Sequence, residues 1–104
     1  MDKETLKKEK ESLKGAIYRL NKKCTEIENL IPQAEAVVEQ LKPLENSTDS
    51  RERMKFLSAK LDLASLKNDL ANAKALITMK MDRLEILEQS SSEEKSVTEP
   101  GFGE

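Results

Sequence analysis

From Leu13 to Leu41 the apolar and small side chains fall at Leu13, Ile17, Leu20, Cys24, Ile27, Ile31, Ala34, Val38 and Leu41, in alternating steps of four and three. That spacing is a coiled-coil heptad, with Ile17, Cys24, Ile31 and Val38 at a and the others at d. Leu6 extends the d row by one heptad. Pro32 interrupts the chemistry but not the pattern. Proline lacks a backbone donor and its ring collides with the carbonyl four residues earlier, a cost of about 3 kcal/mol or more inside a helix. The phase is nevertheless kept across Pro32, which falls at b on the outer face. The spacing therefore predicts one helix, kinked or loosened between Glu28 and Pro32. Ile31 is its strained position, because a residue before proline resists helical dihedrals. A break at Ile31 is the alternative.

A second frame follows. Phe56, Leu63, Leu70, Ile77 and Leu84 are spaced by sevens, and Ala59, Leu66, Ala73, Lys80 and Leu87 sit three beyond them. Between the frames lies "KPLENSTDSRER", where Pro43 opposes continuation and Asn46 to Ser50 favour turns and caps. Asp49 followed by Glu52 reads as a capping box with Asp as the cap. The sequence thus predicts helix one over 3–44, a loop over 45–49 and helix two over 50–89. Each helix is about 60 Å long at 1.5 Å per residue.

Folding the chain at this loop sets Leu41 beside Phe56, Val38 beside Ala59, Ala34 beside Leu63, Ile31 beside Leu66, Ile27 beside Leu70, Cys24 beside Ala73, Leu20 beside Ile77 and Leu13 beside Leu84. Every a meets a d. Unrelated helices match in phase only about once in seven registers. Two layers depart from the apolar rule, Ile17 with Lys80 and Lys10 with Leu87. Lysines there snorkel outward, so the open end is expected to be the looser one. The last residues, "SSSEEKSVTEPGFGE", are polar, acidic and aperiodic, which predicts a disordered tail over 90–104. The expected fold is all-α: two long antiparallel helices in a coiled-coil hairpin, associating into a larger helical bundle.

A two-helix seam buries little, and small single cores seldom supply more than a few kcal/mol. Apolar residues outside the seam point to a covering partner. Some of them, Ala16, Leu30, Val37 and Leu44, lie at g and widen the core face. Leu61 sits at f, opposite the seam, with Leu57 at b. Leu57, Leu61, Leu76, Met79 and Ile86 are the candidate partner surface, for helical proteins or for a second copy.

Catalysis finds no support. Histidine is absent from the 104 residues, which removes the commonest general base and metal ligand. Cys24, the single cysteine, reads as a small buried seam residue with no base beside it. No glycine-rich phosphate loop, paired acid and base, or metal-ligand cluster is present, so no cofactor is expected. The four methionines read as packing. The basic opening "KETLKKEKESLKG" reads as a solvated helix face, since acids are interleaved and the chain is acidic elsewhere, which argues against nucleic acid. No apolar run is long enough to span a membrane, and the start of the chain has no apolar signal core. A cytoplasmic protein follows, with Asn46-Ser47-Thr48 read as a polar loop and not as a glycan acceptor. Ser90 to Ser92 before Glu93 and Glu94 form a weak acidophilic-kinase context.

The segment "LSAKLDLASLKNDLANAKALI", residues 57 to 77, resembles the second helix of the Snapin/Pallidin group through Leu57, Ala59, Leu66, Asn68, Leu70, Asn72 and Ala73. The first helix shares only the apolar spacing. The resemblance implies an adaptor subunit within a long helical assembly, of the kind that serves lysosome-related organelles, peripheral on their membranes through its complex. From the residues themselves, the chain is a non-enzymatic scaffold subunit. The alternative is a small helical regulator, a secretion chaperone or inhibitor, that masks a partner.

Overall fold

The computed structural model describes the backbone of residues 2–98 and the side chains of residues 2–90. It contains two long α-helices packed against each other, α1 (Lys3–Leu41) and α2 (Ser50–Thr98), with a 3-10 turn at Lys42–Leu44. No described residue adopts a positive φ or a cis peptide bond. The described backbone therefore reverses direction without a glycine.

α1 starts where Asp2 caps it. Asp2 Oδ1 accepts from the Thr5 N–H at 2.7 Å, and Asp2 O accepts from the Leu6 N–H. The Thr5 hydrogen bond favours the charged carboxylate and holds Asp2 below the usual carboxylate range. The helix then passes through Pro32, which is exposed within it. A break at Ile31 is not what the chain adopts. The proline ring faces solvent, and the seam residues Ile27, Ile31 and Ala34 on the other face are buried or half-buried. Their burial offsets the lost hydrogen bond.

The helical stretch expected to reach residue 44 changes character at Leu41. Pro43 donates no hydrogen bond and disfavours a helical Lys42, so the chain tightens into the 3-10 turn, with Glu45 N–H donating to Lys42 O at 3.0 Å. α2 is capped by Asp49, whose Oδ1 accepts from Arg51 N–H at 2.9 Å. The capping box closes by a relay that the sequence reading missed. Asp49 N–H donates to Ser47 Oγ at 3.1 Å, and that hydroxyl donates to Glu52 Oε1. Arg53 Nη1 adds a bond to Ser47 O at 2.7 Å. At its other end α2 carries past Gln89, where the sequence reading ended it, to Thr98. Nothing in "SSSEEKSVT" forbids a helix, and the first residue that does is Pro100. The remainder of the expected tail, 99–104, lies outside the described residues.

Two compact units divide the chain, where the spacing drew one hairpin over 1–89: Asn21–Lys74 with the loop, and Met1–Leu20 with α2 from Ala75 onward. In the first, Cys24, Ile27, Phe56, Ala59 and Ala73 are buried, and Ile31, Ala34, Val38, Leu41, Leu63, Leu66 and Leu70 are half-buried. In the second, Leu13, Ile17, Leu20, Ile77 and Leu84 are half-buried. The same unit holds Leu6 at 6% exposure and Leu87 at 3%. By burial, then, the open end is not loose. Leu87 stands at d, three residues beyond the half-buried Leu84, and the heptad pairing sets the half-buried Lys10, with its long methylene stem, in the same layer.

Ion pairs fix the register. Lys67 Nζ lies 3.8 Å from Glu35 Oε2, and Lys74 Nζ lies 3.6 Å from Glu28 Oε2. One heptad back along α1 and one heptad on along α2 turns the first pair into the second, which only antiparallel helices do. All four residues are e positions, and in an antiparallel pair e faces e. Both bridges are more than half exposed, so they report geometry more than they stabilise it.

Candidate interaction surface

The partner residues named from spacing are all open to solvent: Leu61 is 70% exposed, Met79 65%, Leu57 54%, Ile86 51% and Leu76 45%. Leu57 and Leu61 belong to the Asn21–Lys74 unit, and Leu76, Met79 and Ile86 to the other. Leu57 and Leu61 occupy b and f on the outer face of α2. Leu76, at g, flanks the seam, and Met79 and Ile86, at c, lie outward of it.

Three further apolar side chains are exposed in the Asn21–Lys74 unit: Leu30, Val37 and Met54. Leu30 and Val37 are g positions. Spacing marked them only as a widening of the core, yet nearly half of each faces solvent. Between Val37 and Leu41 of α1 and Met54 and Ala59 of α2 runs an open groove, with Lys55 and Asp62 on its α2 bank. The signal for it was present in the sequence. An apolar g residue on α1 faces a short or charged g residue on α2, so no side chain fills the space between.

On the opposite flank the electrostatics are regular. The e positions of α2 are Lys60, Lys67 and Lys74, and those of α1 in the same unit include Glu28 and Glu35. Lys67 and Lys74 take those acids. Lys60 instead places its ammonium 5.4 Å from the centre of the Phe56 ring, a cation–π distance. Inward of b and f, then, α2 carries a row of ammonium groups.

α1 has a single apolar stripe, whereas the apolar residues of α2 are spread round the helix and largely cancel as a directional signal.

Cys24 is buried in the seam. Among the described residues no group of three potential ligands could hold a metal ion, and no buried side-chain polar atom lacks a hydrogen-bond partner. No described helix is long and apolar enough to cross a membrane. No family model, no curated protein and no solved structure matches this chain.

Proposed function

We infer that the chain is a non-enzymatic coiled-coil subunit that scaffolds a multi-protein complex by holding other helices along its length. The observation that supports this reading is α2 itself, which packs on α1 through one face and exposes Leu57 and Leu61 on another. Burying a leucine is worth about 1.5–3 kcal/mol, so a soluble chain gains by covering them. The resemblance of residues 57–77 to the Snapin/Pallidin group makes a vesicle or lysosome adaptor the first assembly to test, with the protein cytoplasmic and held at organelle membranes by its complex. The groove over Val37, Leu41, Met54 and Ala59 favours the second reading, a small regulator that masks a partner's helix.

Affinity purification from the native cell separates the two. A set of small coiled-coil proteins recovered together supports the scaffold. One large client recovered alone supports the mask, and recovery of neither removes both.

A further inference from the structure

Along the outer face of α2 the residues Leu57, Leu61, Ala64, Asn68 and Ala71 repeat the alternating step of four and three. This is a second seam, offset from the one that holds α1. All five side chains are exposed, Leu57 at 54% and Leu61 at 70%. On the border between the seams stand Lys60, Lys67 and Lys74. The other border is Ser58, Ser65 and Asn72, which are neutral. We propose that this second seam is a docking site for one amphipathic helix of another protein, one that carries carboxylates along the edge meeting the lysine row. The proposal rests on the scaffold reading and names the class of partner.

Each part of the seam limits the occupant. The alternating step is the mark of a helix seam, and from Leu57 to Ala71 it runs about 21 Å at 1.5 Å per residue. Alanines at two of its five places let a helix axis approach closely, near the short end of the usual 8–10 Å. Asn68 excludes lipid as the cover, because a buried amide without a partner is costly. In a helix–helix seam a single asparagine is instead satisfied across the layer and fixes register.

Charge excludes a second copy meeting the seam with its own α2. Set antiparallel, α2 brings its lysine row against Lys60, Lys67 and Lys74 of the copy. Set parallel, it brings the row against Ser65 and Asn72. Neither arrangement supplies an acid. Within the chain, Lys67 and Lys74 already pair with carboxylates of α1, Glu35 and Glu28, in solvent-exposed ion pairs. The same row is open on its outer side to carboxylates from the second seam, and among the described residues no carboxylate lies within ion-pair distance of Lys60.

Two synthetic helical peptides test this. Both carry leucine at the seam places and asparagine in the layer facing Asn68. One has glutamate along the edge that meets the lysines, and the other has lysine there. Titrated against the full chain and read by fluorescence anisotropy, the glutamate peptide should bind at least a hundredfold tighter at low salt. The gap should narrow as salt screens the pairs. Leu61→Glu in the chain should abolish binding while circular dichroism stays unchanged, since Leu61 lies outside the α1 seam. Equal binding of the two peptides overturns the charge assignment, and undiminished binding to L61E overturns the site. A dimer of the unmodified chain in sedimentation velocity that L61E dissolves replaces the partner with a second copy. Native co-purification that L61E leaves intact overturns this site and leaves the scaffold reading standing.

Discussion

Arg83 holds one oxygen of Glu9 with two nitrogens: Nε at 3.1 Å and Nη2 at 3.0 Å from Oε2. Both residues are g positions, and in an antiparallel pair g faces g. The contact therefore fixes the register of its own unit as Glu35–Lys67 and Glu28–Lys74 fix it in the other. Its side chains are 46% and 34% exposed. A double-mutant cycle with Glu9→Ala and Arg83→Ala should give a coupling of roughly 0.2–1 kcal/mol in urea denaturation, declining with added salt. Zero coupling at low salt would mean the pair is not formed in solution.

The register makes a geometric prediction near the loop. Val38→Cys with Ala59→Cys, in a Cys24→Ser background, should form a disulfide within one chain at high dilution. Val38 is half-buried and Ala59 buried in the same unit. Bridges formed only between chains would show two molecules pairing where one is described here.

Pro32→Ala should raise stability, by up to about 3 kcal/mol, as the new N–H restores the bond to the Glu28 carbonyl and the ring clash disappears. Thermal unfolding measures it. A clear loss of stability would mean that the proline shapes a needed bend.

Ser47 gives the loop its bracing, since its hydroxyl joins Asp49 N–H to Glu52 Oε1. Ser47→Ala removes both bonds at the start of α2 and should cost about 0.5–2 kcal/mol, the usual range for a lost helix cap. Asp49→Ala acts on the cap itself and should cost a similar amount. If Ser47→Ala is silent in denaturation while Asp49→Ala is not, the relay adds nothing to the cap.

Much of this architecture was legible because heptad spacing is itself geometry. A side chain at a or d of a long helix has one place to go, and all seam positions from Leu13 to Leu41 and from Phe56 to Leu84 are buried or half-buried. The antiparallel pairing followed from phase alone. Four things were not legible. The Ser47 relay depends on loop dihedrals that no local propensity encodes. The burial of Leu6 and Leu87 was hidden by Lys10, the layer partner of Leu87 and the next seam position after Leu6, whose stem counts as apolar even though its end does not. The second seam was seen only as isolated Leu57 and Leu61, because alanine and asparagine carry little hydrophobic signal. The groove was missed for a related reason: an apolar g residue such as Val37 is ordinarily read as core, and only the side chain opposite decides whether it is covered.

The buried thiol of Cys24 has a use that its packing creates. It is 7% exposed, on the seam at the level of Ala73. A thiol reagent reaches it only when the helices part, so alkylation runs at the speed of that parting. The protein thus contains its own stopwatch for breathing, set about midway along α1 and started by nothing more than adding the reagent. Slower labelling with a helix seated on Leu57 and Leu61 would show that gripping the outer face of α2 steadies the inner one.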